Sequence, residues 1–266
     1  MKKLLTLSIF AAFLLIIGCG EEVTLTAPTD FTIAAANDEV SVVLSWTANP
    51  SDEEVDGYYI YFNDAIVDST ENTTYTHDDP QESGYYYVTA YRGDEESDDS
   101  DELSTIPEVV DNITLAEINA TGNSGLGWDR GDGSPTTYSM QDATNANDID
   151  FYFSDWEAGF DGPDYFFISP DLVETDPGVT WPMSGTWKTT GFTTALTDAF
   201  EDVTVLPASG YDNSQEVTTL NATYGVWISD DDYYGMVEVK SINTATGQFE
   251  VRVAFQTVPG LRILEH

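Results

Sequence analysis

Gly84-Tyr85-Tyr86-Tyr87-Val88-Thr89-Ala90-Tyr91 is a run of aromatic and β-branched residues in which Tyr86, Val88 and Ala90 recur at every second position. That period belongs to a strand, not a helix. Upstream, Val40, Val42, Leu44 and Trp46 alternate with other positions in the same way, as in a strand with one buried face. Two more short runs, Val55–Tyr61 and Thr73–Thr76, lie between them. Gly93–Glu102 carries seven acidic residues in ten and reads as a solvated loop before a last strand. Pro107 marks a join. Residues 27–107 therefore form a first unit and residues 108–266 a second. Long helical patterns are absent from both. Short alternating runs separated by Gly, Asn, Asp and Pro predict an all-β chain.

In the second unit Asp148-Ile149-Asp150-Phe151-Tyr152-Phe153 alternates, which places Ile149, Phe151 and Phe153 on one face. Tyr165–Pro170 is a continuous apolar run of the kind that a strand buried on both faces shows. Ala195–Val203 predicts one short helix. Residues 233–242 and 248–257 flank Asn243-Thr244-Ala245-Thr246-Gly247, a loop length typical of hairpins. In that hairpin Val237, Val239, Phe249, Val251, Val253 and Phe255 are expected to face inward. Glu238, Lys240, Glu250 and Arg252 are expected to face out and pair across strands. The unit as a whole predicts an antiparallel sandwich or barrel-like domain.

Two stretches carry resemblances. Trp46, Gly57-Tyr58 with Ile60-Tyr61, and Tyr86-x-Val88-x-Ala90 together resemble a fibronectin type III domain over about 80 residues. The resemblance implies a β-sandwich used as a spacer or binding module, with Tyr86 in the tyrosine-corner role. The leucine that the family carries before its sixth strand is missing between His77 and Gln81. In the second unit, Tyr138–Ala143, Asp148–Phe151, Ile168-Ser169-Pro170 and Tyr234–Val239 resemble an uncharacterised domain of Bacteroidetes surface lipoproteins. The closing hairpin is also similar to haem-scavenging lipoproteins of that phylum. The first of these two families has no activity to carry over.

The N-terminus reads as an address. Lys2 and Lys3 precede an apolar run from Leu4 to Ile17, shorter than the roughly 20 residues of a membrane span. Ile16-Ile17-Gly18-Cys19 resembles the bacterial lipobox, which implies a signal peptide over residues 1–18 and a lipidated tether over residues 19–26. Cys19 is the single cysteine of the chain, so lipidation accounts for it and no disulfide exists within the chain. Two acyl chains on one cysteine anchor stably to a membrane. Gly20 in place of Asp after the cysteine, with Glu21-Glu22 beyond it, points to an outer-membrane lipoprotein, on the cell surface rather than the periplasmic face.

The chain holds 48 acidic and 8 basic side chains, and loss of Lys2 and Lys3 with the signal peptide leaves a net charge near −42. That composition excludes nucleic acid and anionic lipid surfaces as partners, because phosphates are held by clustered Lys and Arg. Such self-repulsion is relieved in saline media or by divalent cations.

Few catalytic chemistries have material. The two histidines, His77 in an expected turn and His266 at the chain's end, are too few for a serine triad, a zinc site or paired haem ligands. Met183 is the remaining candidate haem ligand. Asp148 and Asp150, two apart on an expected strand, match the roughly 5–9.5 Å spacing of glycosidase carboxylates, although an exposed face of so acidic a chain presents such pairs by chance. Asp129-Arg130-Gly131-Asp132-Gly133-Ser134 and Ser229-Asp230-Asp231-Asp232 are oxygen-rich loops suited to Ca²⁺, with Asp129, Asp132, Asp230, Asp231 and Asp232 as candidate ligands. As turns in solvent they need no metal. Arg130-Gly131-Asp132 matches an integrin-type tripeptide that short chance matches also produce. Trp156, Trp181 and Trp187 fall in Gly- and Pro-rich loops, where exposed rings stack on sugars and buried rings fill a core. The combined expectation is a non-catalytic envelope lipoprotein that requires no cofactor and displays its second unit for binding or scaffolding. A partner would be a polysaccharide or a surface protein. Glycan capture through loop tryptophans is the alternative, and a carboxylate-based glycoside hydrolase comes third.

Overall fold

The computed structural model of the chain describes residues 24–179 and 185–266. These residues are nearly all β, and every pairing between named strands is antiparallel. In the first half, β1 (Thr29–Ala35), β2 (Val42–Thr47) and β5 (Thr74–His77) form one sheet in the order β1-β2-β5. The strands β3 (Gly57–Phe62), β4 (Ala65–Thr70), β6 (Tyr85–Arg92) and β7 (Glu95–Glu96) form a second in the order β4-β3-β6-β7, with β8 (Leu103–Ser104) also on β6. The period-2 pattern decides what meets between them. Val42, Leu44 and Trp46 pack against Tyr58, Ile60, Phe62, Tyr86, Val88 and Ala90. Trp46 sets its ring edge-on to Tyr58 at 5.2 Å. Each such side chain, fully buried, contributes about 1.5–3 kcal/mol. Val40 lies before β2 and is half-buried.

His77 is not in a turn. It ends β5 opposite Val42, and its Nδ1 lies 2.8 Å from the Tyr86 hydroxyl. Desolvation holds the His77 imidazole below its ordinary pKa. Tyr86 thus meets a side chain, whereas a tyrosine corner uses an upstream backbone group.

The second half holds two five-stranded sheets. One runs β11 (Pro135–Tyr138), β10 (Gly125–Trp128), β12 (Phe151–Ser154), β13 (Phe166–Ile168), β15 (Ser214–Glu216). The other runs β14 (Thr190–Phe192), β16 (Thr223–Ile228), β17 (Tyr233–Asn243), β18 (Gln248–Phe255), β9 (Glu108–Ala116). No closed barrel forms among the described residues. The core between the sheets is aromatic: Phe153 stacks on Phe249 at 4.2 Å, and Trp128 on Phe255 at 5.2 Å.

The central strands of the first of these sheets are buried on both faces. Phe151, Phe153 and Phe167 point into the aromatic core. Tyr152 and Ile168 point the other way, into a second cluster with Ile149, Met140, Val173 and Trp187. The expected face of Ile149, Phe151 and Phe153 is therefore split, because the strand begins at Phe151 and Ile149 lies in the preceding turn. Within Tyr165–Pro170 the strand covers only Phe166–Ile168, and its Phe167 and Ile168 are buried on opposite faces as expected.

The closing hairpin forms as expected, with Val237 opposite Val253 and Val239 opposite Val251. A bulge at Lys240 then shifts the register, so Ile242 also turns inward, opposite Phe249. The outer face is more covered than expected. Glu238 is buried, and Arg252 ion-pairs with Asp111 and Glu201 instead of with Glu238 or Glu250. The expected helix over 195–203 is absent. Its chain runs extended, with Leu196 N–H donating to Thr223 O, and one short 3₁₀ turn spans Phe200–Asp202. Phe200 packs beneath the Arg252 guanidinium, 4.2 Å from its ring centre, and joins Met236 and Leu264 on the outside of β17 and β18.

Past β18 the chain crosses back. Val258, Leu261 and Ile263 enter the core of the first half. Gln256 Nε2 donates to Thr105 O and Ile263 O, at 2.8 Å each. Ser83 N and Oγ donate to the Glu265 side chain at 3.0 and 2.8 Å.

Candidate functional site

At one end of the second half, the turn after β10 and the turn before β17 border a cleft of about 690 Å³. Gly127 makes its floor possible. A Cβ there would sit 1.7 Å from Asp148 O, so only glycine lets residues 147–150 cross β10 this closely. The crossing is held by Asp150 N–H donating to Leu126 O at 2.7 Å. It delivers Asp150, a fully buried carboxylate, beneath the cleft.

Asp150 is completely partnered. Arg130 grips it with two bonds, Nη2 to Oδ1 at 2.7 Å and Nη1 to Oδ2 at 2.9 Å. Lys188 Nζ donates to Oδ1 at 2.9 Å, and Trp128 N–H to Oδ2 at 2.8 Å. Arg130 also reaches Asp231 at 2.9 Å and lies over the rings of Tyr233 and Phe255. Burial works against the Arg130 charge, but Asp150 and Asp231 outweigh it and hold the guanidinium above its ordinary pKa. Forked Arg–carboxylate bonds of this kind fix geometry as well as charge.

Around this clamp the cleft wall consists of Asp129, Tyr138, Asn147, Asp148, Trp187 and Asp230. The structure thus brings together Asp129, Asp230, Asp231 and Trp187 from the sequence candidates. Asp132 and Asp232 lie outside the cleft wall. Asp132 caps its own turn through Ser134 N and Oγ, and Asp232 accepts from Trp227 Nε1 at 3.0 Å. Asp129 accepts from Gly131 N at 2.7 Å and Asp230 from Thr189 N at 2.9 Å. Among the described residues, no group of three or more acidic, His or Cys side chains is arranged to hold a metal ion. Trp156 is elsewhere, half-buried against Phe166 at 6.3 Å. Trp187 is nearly buried, at 8% exposure. Trp181, Met183 and Cys19 lie outside the described residues. The pairing of Asp148 with Asp150 as two exposed carboxylates does not form. Asp148 is exposed in a turn and Asp150 is sealed beneath two cations. The Arg130-Gly131-Asp132 tripeptide is likewise unable to present its arginine, which Asp150 and Asp231 occupy.

Sequence reasoning missed Lys188 and the role of Arg130. The available signal was scarcity: a chain with 8 basic side chains commits two of them to one carboxylate.

A second acidic group lies apart from the cleft. Glu117, Asp155 and Asp176 are all buried, beside Tyr152. Burial, reinforced by Asp155 and Asp176, pushes the Glu117 carboxyl up to about 8. Burial also raises Asp176, against hydrogen bonds from Ser154, Gly178 and Tyr152. Tyr152 Oη donates to Asp176 at 3.1 Å, and both burial and Asp176 raise its pKa. Backbone N–H groups of Glu157 and Gly162 cap Asp155 at 2.9 Å each. None of the three carboxylates lines the cleft.

No family model matches the chain, and no curated protein matches it in sequence. Among solved structures it is similar to a DUF4466 family protein from Parabacteroides merdae, at TM-score 0.45 and 12% identity, covering 87% of this chain and 99% of that one. A structure described as a myokine covers 30% of this chain and 95% of its own, at 23% identity and TM-score 0.25. A structure of titin kinase and its flanking domains aligns over 88% of this chain and 38% of its own, at 11% identity and TM-score 0.27. These likenesses bring no function to the chain.

Proposed function

We propose that this protein is a non-catalytic lipoprotein of the bacterial outer membrane, anchored through Cys19, that binds a hydroxyl-rich ligand of the polysaccharide class in the cleft beside Arg130 and Lys188. The fibronectin type III-like first half serves as the spacer. One observation carries the reading: a cleft of about 690 Å³ whose wall sets the half-buried Tyr138 ring beside Asp129, Asn147, Asp148 and Asp230, with Trp187 packed beneath it. Carboxylate and amide groups beside aromatic rings suit hydroxyls and pyranose faces together. The two cations of the site are neutralised by Asp150 and Asp231, so an anionic ligand finds no unpaired charge there.

A thermal melt in high salt of the soluble chain, from residue 23 onward, tests this against a polysaccharide panel, with and without calcium. A saturable rise with one polysaccharide, lost in Asn147→Ala and Tyr138→Ala, is the expected result. No rise with any polysaccharide, or a rise unchanged in both variants, overturns the cleft as a glycan site and turns the search to surface-protein partners. A rise with calcium alone does the same.

A further inference from the structure

We propose a second binding site, for a quaternary or fully methylated ammonium group, in the recess where β16 and β17 meet the loop at Glu39. Trp227 and Tyr234 are register partners on β16 and β17, so their side chains leave the sheet on the same face. Their rings are within 15° of parallel, with centroids 6.4 Å apart. Tyr211 closes a third side, inclined 58° to both and 5.9 and 6.3 Å from them. The recess between these rings, Glu39 and residues 208–210 measures about 250 Å³.

Local sequence builds this arrangement. Gly191 sits opposite Trp227 on β14, and a Cβ there would come within 2.6 Å of the Tyr211 Cβ, so a glycine is what admits the third ring. Gly210, at φ +93, turns the loop with open space around it. The polar edges of two rings are engaged internally: Tyr211 Oη donates to Pro207 O at 2.9 Å, and Trp227 Nε1 to Asp232 at 3.0 Å. Tyr234 is nearly sealed, at 3% exposure, so the ring surface left for a ligand is that of Trp227 and Tyr211, whose negative faces attract cations.

Charge around the recess favours the same class. Glu39 lies at its wall and Asp232 behind Trp227. Among the described residues Arg262 is the one basic group that meets Glu39, and it is held there at 2.8 Å while also donating to the Leu206 and Asp38 carbonyls. The whole chain, at −40, raises the local concentration of cations. A primary ammonium carries three donors and needs as many acceptors. The recess offers one carboxylate already shared with Arg262, so a methylated head, which needs only ring faces, fits better. This site is independent of the cleft beside Arg130.

The test is calorimetric titration of the soluble chain with choline, with its uncharged carbon isostere 3,3-dimethylbutan-1-ol, and with Nα-acetyl-lysine. The expected result is saturable choline binding, at least about tenfold tighter than the isostere, and tighter than the lysine derivative. Tyr211→Leu and Glu39→Gln each weaken it, and a cooperative melt confirms that each variant folds. Equal binding of choline and its isostere, tighter binding of the lysine derivative, or binding unaffected by both variants overturns the proposal. So does the absence of saturation up to about 10 mM.

Discussion

Asp150 and Glu117 are both fully buried carboxylates in the second half of the molecule, and they are accommodated in opposite ways. Asp150 is held by two cations and a backbone N–H. Glu117 has Asp155 and Asp176 for neighbours and meets its need through backbone and amide donors at Asn119, so it is pushed toward the protonated form. Basic residues are scarce, 8 against 48 acidic ones, and Asp150 takes two of them while Glu117 is served by Asn119 instead. Where cations are spent, charge is kept and geometry is fixed. Where they are absent, the proton takes their place, and that region answers to pH.

The largest effect separating the two is expected from Asp150→Ala. It leaves Arg130 and Lys188 with only the half-exposed Asp231 as counter-ion, and breaking a buried pair in this way costs about 3–5 kcal/mol. Urea denaturation at pH 7 measures it; a loss under about 1 kcal/mol would mean that solvent already screens the clamp. Glu117→Gln works in the other direction. The Glu117 carboxyl is raised from 4.5 to about 8 in the folded state, so the wild type is favoured below the lower value and loses stability as pH rises toward the upper one. The glutamine variant removes that slope and gains about 4 kcal/mol relative to wild type near pH 8, with little difference at pH 4. Paired urea curves at the two pH values check it, and a pH-independent difference would place the charge in solvent. Tyr152→Phe removes the donor to Asp176 and is expected to cost about 1–2 kcal/mol, more at high pH than at low, in the same experiment. The smallest change falls on the rim of the clamp. Asp231 is 41% exposed at its side chain, so Asp231→Asn should shift stability by about 0.5 kcal/mol or less in low salt and by nothing measurable in 1 M salt.

Much of the backbone was legible because its cause is local. Alternation over 42–46, 57–62 and 85–91 places the first-half strands, and the 233–257 hairpin follows from a short loop between two alternating runs. The Lys240 bulge was not legible, since one extra residue changes facing without changing composition. Leu196, Phe200 and Val203 imitate a helical stripe, yet they are buried because the outer face of β17 and β18 needs cover, a tertiary demand that overrides local period. The cleft was half legible. Trp187 and the two acidic turns stood out in the sequence, but Asp150 read as one more surface carboxylate, because its partners Arg130 and Lys188 are distant in the chain. Glu117, Asp155 and Asp176 carried no signal at all, since burial does not distinguish itself among so many acids.

The return of residues 258–263 into the first half has a consequence for how the chain matures. A polypeptide emerges from its N-terminus, and domains generally fold in that order. Here the earlier-made sheets lack part of their interior until the later-made half is complete. An early intermediate would therefore carry an open apolar seam beside Phe31, Val42 and Phe62, a natural grip for a holdase that keeps the chain extended until all of it is available.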